Sequence, residues 1–511
     1  MKSVVAKVSA VIARRRPALL ALALLVVVTH TITTSRLCTS LRPTIVGPAP
    51  SMHVAQEAHQ RALDDAALRA SILSNTTLAP DVLNRLLERE QVLQCLEERD
   101  YGMVPLIREE ARTLCDDATG VDPALGKLST YKYYSSERAN IMSTLVTNLW
   151  VDLRSAQVFK PIFDVSQDGG RHDPRFKHDT VDAYCVCNAN QDQSLPGGER
   201  VWGYTHGGHS WGDKDNWQYC KAIQTPTQIE ELRSGFSIAA AMNAWIMLQV
   251  LDWSPETTQL VYFDDGLPAT TDELQRRVLA PNHPVAKGRD IMGSVLHFEN
   301  ALVAPFEYMG PMMAHLDDDE PCRANKLVQD FRALVMRKFD VASEKKNFAS
   351  CTITVITRRP YKGRMVQRKW LNEDTVLERM RADYERIYKY GKCRIQSVDF
   401  VDLSLERQME IVVESDVVIG MHGAGMVNVL WARPETHVVE IFPEHRLRWG
   451  YRNLCYFIGC EWSQFRGGKD TGAGDNNSDK VISYADWFAF FDPIIKRAVA
   501  ELEARVAQIT E

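Results

Sequence analysis

From about Ser350 onward the chain alternates short apolar runs with helix-length amphipathic segments, and this regularity restricts the fold more than any other feature. TITVITRR (352–359) precedes EDTVLERMRADYERIYKYG, and RIQSVDF (394–400) precedes LERQMEIVVES. The stretch from Asp416 to Pro443 follows, and YADWFAFFDPIIKRAVAELEARVAQI closes the chain. Strands joined through helices of this length predict a parallel sheet covered on both faces. Ligands of such sheets lie outside the carboxyl ends of the strands, which assigns the chemistry to one edge before any motif is named.

DVVIGMHGAGMVNVLWARPETHVVEIFP reads as strand, tight His-Gly-Ala-Gly turn, helix and strand. The turn has neither the GxGxxG spacing of a dinucleotide fold nor the GxxxxGK[ST] of a P-loop. Unpaired N–H groups at a helix start favour an anion. Gly423 and Gly425 would let a ligand approach the backbone. His422 adds a donor. Glu440, eighteen residues beyond His422, ends the next strand, where a carboxylate can accept both hydroxyls of a ribose. A plain strand-to-helix turn, with His422 bonded to backbone and Glu440 in solvent, accounts equally well for these residues alone.

A second cluster, TRRPYKGRMVQRKWLNED (357–374), carries Arg358, Arg359, Lys362, Arg364, Arg368 and Lys369 in a protein of net charge -6. Arg358 and Arg359 stand at the carboxyl end of a strand, and Asn372 and Glu373 open the following helix. Guanidinium forks suit a diphosphate, supplying charge and paired hydrogen bonds together. A solvated basic loop is the competing reading.

The region 127–339 is mixed, with an apolar helix (238–251), a strand QLVYFDD (259–265) and a strand-like run SVLHFENALVA (294–304). Between them, 167–215 reads as a long loop. Its Cys185, Cys187, His206 and His209 have ligand types for zinc, with disulfide bonding the alternative in an oxidising compartment. Acidic pairs such as Asp213 and Asp215 end no apolar strand and read as solvated.

The N-terminus differs in kind. Lys2, Lys7, Arg14, Arg15 and Arg16 precede the uncharged run PALLALALLVVVTHTITTS (17–35). The basic flank predicts a cytosolic tail and a lumenal body behind a single signal anchor, with a cleaved signal peptide as the alternative. Ten cysteines beyond the anchor region and the sequons at Asn75 and Asn476 agree with a lumenal body carrying disulfides and glycans. Helical stretches 53–73 and 80–98 read as a stem-proximal region packed on the body. The absence of a net basic charge speaks against nucleic acid as a partner.

In order and spacing, TRRPYKGRMVQRKWLNED, SDVVIGMHGAGMVNVLWARPETHVVEIFP and the upstream SVLHFENALVAPFEYM resemble glycosyltransferase family 61. This family includes plant-type β1,2-xylosyltransferases and the EGF-domain O-GlcNAc transferase. The resemblance covers roughly residues 255 to 465. It implies a GT-B-like α/β fold, two Rossmann-like domains facing a cleft, and inverting transfer from a UDP-sugar to a glycan or glycoprotein. It implies no required cofactor, a divalent metal being compatible with the chemistry without being needed. Arg358, Arg368 and Asn372 map onto the family's arginine motif, and His422, Gly423, Ala424, Gly425 and Glu440 onto its HGAG and strand-end acid.

One departure stands out. Relatives carry a motif like N-x-x-H-x-x-x-D on the helix before QLVYFDD, whereas this chain reads SGFSIAAAMNAWIML. Asp264, Asp265 and Glu299 are then the candidates for the general base, and a non-catalytic lumenal nucleotide- or glycan-binding protein becomes the alternative function. The expected division is a tail (1–16), a signal anchor (17–35), a stem with helices (36–125), an acceptor-side domain (126–340), a nucleotide-sugar domain (341–485) and a terminal helix (486–511). Such a protein would sit as a single-pass type II protein in the Golgi or endoplasmic reticulum membrane, with xylose or GlcNAc as the sugar.

Overall fold

A computed structural model describes the chain from residue 92 to 510, with the longest stretches outside the description at 116–120, 153–181, 185–233, 262–271, 314–321, 361–365 and 473–476. The tail, the anchor, the helix at 53–73, Asn75, the Cys/His cluster and the Asp213 pair lie outside the described residues. Among the described residues, no helix is long and apolar enough to cross a membrane. Residues 84–511 form one compact unit.

The first half builds an antiparallel sheet. Helix α1 (Met103–Glu109) leads to β1 (Arg112–Cys115), β2 (Thr130–Ser136), β3 (Ile141–Asp152) and β4 (Asp182–Tyr184). These pair in the order β1-β2-β3-β4, and β5 (Val295–Val303) also pairs with β3. A second Rossmann-like domain is expected here, but every pairing in this sheet is antiparallel. The connection explains it: only four residues separate β2 from β3, with Asn140 at φ 49°, and a parallel pair needs a crossover of a dozen or more. The strand expected at 259–265 appears, in its described part, as a single parallel bridge between Val261 and Ala286.

Three of the helices lie in the chain between β4 and the first parallel strand. Helix α2 (Ser234–Val250) is apolar all round, and from Ile238 onward most of its side chains are buried, as its composition dictates. Helix α3 (Asp272–Leu279) turns only Leu274, Val278 and Leu279 inward. Helix α4 (Lys326–Lys338) is capped by Asn325, whose side chain accepts from the Val328 N–H.

The second half is the expected parallel sheet. Strand β6 (Ser350–Ile356) is followed by α5 (Glu373–Tyr384), β7 (Lys392–Val398), α6 (Leu405–Glu414) and β8 (Val417–Met421). A 3₁₀ helix (Ala424–Trp431), β9 (His437–Ile441), α7 (Gly450–Ile458) and β10 (Glu461–Phe465) complete it. The strand order is β10-β9-β8-β6-β7, all parallel. Both faces are covered, which is why β8 and β9 are buried at every residue. On one face Ile356, Val418 and Val438 join the 3₁₀ helix, α6, α7, α2 and α4 in a core that also takes residues of the antiparallel sheet. On the other face Ile353, Val355, Ile419 and Val439 meet α5 and α8 (Tyr484–Thr510), which docks through Trp487, Phe491 and Ile495. A small hairpin, β11 (Lys469–Thr471) and β12 (Asp479–Val481), follows β10 in the chain and bonds through Lys480 to the backbone of Lys369 and Leu371. Disulfides join Cys95 to Cys322, Cys351 to Cys393 and Cys455 to Cys460.

Candidate active site at the carboxyl ends of the parallel strands

Register places the site. Ile356 pairs with Val398 and Gly420, Met421 with Ile441, and Ile441 with Phe465, so the five strands finish within one residue of one another. The residues immediately beyond them, Thr357, His422, Phe442 and Arg466, therefore line one edge.

At its centre is the glycine loop. The His422 N–H donates to the Ile441 carbonyl (2.8 Å), which extends the β8–β9 pairing by one residue. Gly423 then caps the 3₁₀ helix without any side-chain capping bond, leaving the helix start open. The turn requires glycine for space: a Cβ on Gly423 would collide with the Arg358 guanidinium, and one on Gly425 would come within 3.1 Å of Ile356 Cγ2. Arg358 thus lies against the loop backbone, its Nε donating to the Gln367 carbonyl (3.2 Å). Arg368 approaches from the same side, donating from Nε to the His422 carbonyl (2.9 Å) and from Nη1 to Asn477 Oδ1 (2.6 Å). Its backbone sits at φ 59°, a conformation that a residue with a Cβ adopts at a cost. The expected pairing of arginine cluster and glycine loop is therefore present as contacts.

His422 is buried and held on several sides. Its Nδ1 donates to Glu440 Oε1 (2.5 Å), and the other oxygen of Glu440 accepts from Trp462 Nε1 (3.1 Å). Phe442 stacks on the ring at 4.9 Å and Tyr451 lies 5.5 Å away. Burial pushes the imidazole below its ordinary range, Glu440 works against this, and Arg368 and Arg446 add to the depression. Arg466 packs over Phe442 and anchors the following loop through the Arg446 carbonyl (2.8 Å). Burial also lowers the pKa of Arg466, with Glu440 opposing.

Two residues take roles other than those expected. Glu440 is completely buried with both oxygens engaged, so it orients His422 instead of receiving a ribose. Asn372 spends its amide on the backbone of Ile482, donating to the carbonyl (2.8 Å) and accepting from the N–H (3.0 Å). It fastens the hairpin β11–β12 to the start of α5. Its neighbour Glu373 is the buried acid here, bonded to Ser397 Oγ (2.7 Å) and raised in pKa by burial, with Ser397 and Thr357 opposing. Of the base candidates, Glu299 is exposed in the middle of β5, an antiparallel strand, and among the described residues no bond joins it to the loop. Asp264, Asp265 and the sequon residue Asn476 lie outside the described residues.

Phe442, Arg446, Tyr451 and Trp462, which gather around His422 and Glu440, were not among the expected site residues. One signal for them is in the sequence: Arg446, Arg448 and Arg452 follow directly on β9, the same relation to a strand end that singled out Arg358. A cavity of about 430 Å³ lies toward the opposite, amino end of the sheet, lined by Glu344, Ser350, Thr352, Arg394, Arg407 and Glu410. It mixes both charges and contains none of the loop residues.

Comparison with known proteins bears on the same segment. Residues 290–439 match the family model Glycosyltransferase 61. Over 240 residues the chain is 22% identical to beta-1,2-xylosyltransferase RCN11 of Oryza sativa subsp. japonica, covering 42% of this chain and 43% of that protein. The chain thus matches less than half of that relative's length. The family match begins just before β5, takes in Arg358, Arg368 and the whole glycine loop, and stops one residue short of Glu440. The loop and its arginines, in contact with one another, thus lie inside the segment that is similar to glycosyltransferase family 61.

Proposed function

We propose that this protein is an inverting glycosyltransferase that uses a UDP-sugar, with xylose or GlcNAc as the sugar, and a glycan or glycoprotein acceptor. The observation that carries the proposal is the meeting of Arg358, Arg368 and an uncapped helix start at one glycine loop. Fixed donors aimed at a diphosphate stabilise the charge that develops on it as the glycosidic bond breaks, without reorganisation at that moment. No catalytic metal is required by this arrangement, since guanidinium groups and helix N–H groups can balance the diphosphate charge.

The acceptor would approach from the side of residues 126–340 across a GT-B-like cleft. Transfer in a single displacement requires a base on the face of the sugar away from the diphosphate. Asp264 and Asp265 keep that assignment. The xylosyltransferase likeness supports the choice of xylose as the first donor to test. Secretory-pathway placement behind a type II anchor at 17–35 rests on the basic flank and the apolar run.

Turnover decides between an enzyme and a binding descendant of the family. Purified lumenal protein incubated with UDP-xylose or UDP-GlcNAc and a panel of glycan and peptide acceptors should release UDP and form product. UDP alone should raise the melting temperature, because a ligand at 100 times its Kd contributes about 2.7 kcal/mol. An unchanged melting temperature at saturating UDP would remove the donor assignment. Stabilisation without product from any acceptor would favour the binding protein.

A further inference from the structure

We infer that the sugar-diphosphate donor binds together with a proton taken up at Nε2 of His422, and that Glu440 and Trp462 are positioning residues that make this uptake obligatory. The inference rests on the donor assignment above and adds the charge state in which the site works.

The geometry leads there in three steps. As a carboxylate Glu440 only accepts, and both of its oxygens are used, one by His422 Nδ1 and one by Trp462 Nε1. A neutral imidazole carries a single N–H, and here that hydrogen is committed to Nδ1. Nε2 then presents a lone pair, and among the described residues it has no hydrogen-bond partner, while the side chain keeps 8% exposure. A lone pair facing phosphate oxygens is repulsive. Only a second proton converts Nε2 into a donor to the anion, with Glu440 balancing the imidazolium from behind.

The charged and titratable groups around the ring fix the sign. Glu440 faces it from β9, Arg368 from the loop before α5, Arg446 from the loop after β9, and Tyr451 from α7. Phe442 and Trp462 complete the wall, with Arg358 over Gly423 and Arg466 over Phe442 beyond. In the free protein burial and the two arginines favour the neutral ring. A diphosphate brings negative charge to the open side and favours the charged ring. Binding therefore consumes a proton wherever the pH lies between the free and bound values, and affinity falls as pH rises through that window. A general base at Nε2 is the other use of a lone pair. It is disfavoured because the loop that holds the leaving diphosphate lies on the wrong face of the sugar for in-line attack.

The test is calorimetry of the full chain with UDP-xylose at pH 7 in two buffers of different ionisation enthalpy. The pyrophosphate of this probe is a diester and does not titrate near neutrality. We expect uptake of up to about one proton per molecule bound, and a Kd that rises by up to about tenfold per pH unit within the window. His422→Gln should bind with no uptake and a flat pH profile. Trp462→Phe, which leaves the His422 and Glu440 contact in place, should shrink the uptake while the protein stays folded. Binding by the wild type without proton uptake, or uptake that survives His422→Gln, overturns the inference and leaves the donor assignment standing. No binding of UDP-xylose or UDP-GlcNAc at any pH removes both.

Discussion

Arg368→Gly should lower kcat/KM about 10²–10³-fold, the loss seen when one preorganised donor to developing charge is removed. Arg368 holds the glycine loop by its His422 carbonyl and the hairpin by Asn477, so one side chain joins both walls of the proposed diphosphate site. Glycine is the informative replacement because the native φ of 59° suits it without strain. Relief of that strain then offsets the added freedom of the unfolded chain, and the loss of activity is mainly that of the guanidinium. Arg368→Lys should recover little, since an ammonium cannot span the carbonyl and the amide in the same fork. Steady-state kinetics with UDP-xylose, alongside thermal melts, separates loss of function from loss of fold. Activity within about threefold of wild type in the glycine variant would contradict the role, set against the donor range above.

The largest effect on stability is expected at the other end of the same sheet. Asp416→Ala should cost about 3–5 kcal/mol, because it leaves two buried cations without their shared counter-ion. Lys345 Nζ lies 2.8 Å from Asp416 Oδ2, and Arg433 Nη2 lies 2.9 Å from Oδ1. Both cations are sealed from solvent, with side-chain exposures of 0% and 1%. The same carboxylate accepts the Thr352 N–H (2.7 Å), so it also ties β8 to β6. Burial already lowers the pKa of Lys345, with Asp416 the main opposing influence, so the variant should favour a neutral lysine. A fall in Tm of about 10 °C is expected at this cost, scaling from ordinary domains. Denaturant unfolding checks it. A change below about 1 kcal/mol would mean the cations find other partners.

The parallel sheet was legible because nothing competes with its pattern. Val417–Met421 and His437–Ile441 are buried on both faces, and such strands must be continuous apolar runs between helix-length segments. The antiparallel sheet was legible only at β5, where the run at 294–304 reads as a strand. Thr130–Ser136 reads TYKYYSS, one lysine among six hydroxyl-bearing residues, and its partner in the ladder is contributed by the next strand. Strand identity there comes from cross-strand contacts that a single segment does not display. The 3₁₀ form of Ala424–Trp431 was likewise hidden, since apolar content fits either helix.

In the candidate site, residue types pointed to segments that the structure brings into contact, and less well to what each side chain bonds. Arg358 and the loop glycines were legible because strand-end cations and glycine turns have few other reasons to meet. Glu440 was misread for a physical reason: a carboxylate ending a strand looks the same in sequence whether its oxygens face a cleft or a buried histidine. Trp462, on the adjacent strand, is what closes its second oxygen, and register alone brings them together. Asn372 was misread similarly, because an amide at a helix start can cap, bind or, as here, pair with a distant strand.

Hydrogen–deuterium exchange of the full chain with and without saturating UDP-xylose locates the donor directly. Slowed exchange should concentrate in the peptides containing Thr357–Arg359, Met421–Met426 and Phe442–Tyr451, where the strands end. Protection instead at Glu344, Arg394 and Arg407, around the cavity toward the amino end of the sheet, would contradict a donor site at the glycine loop.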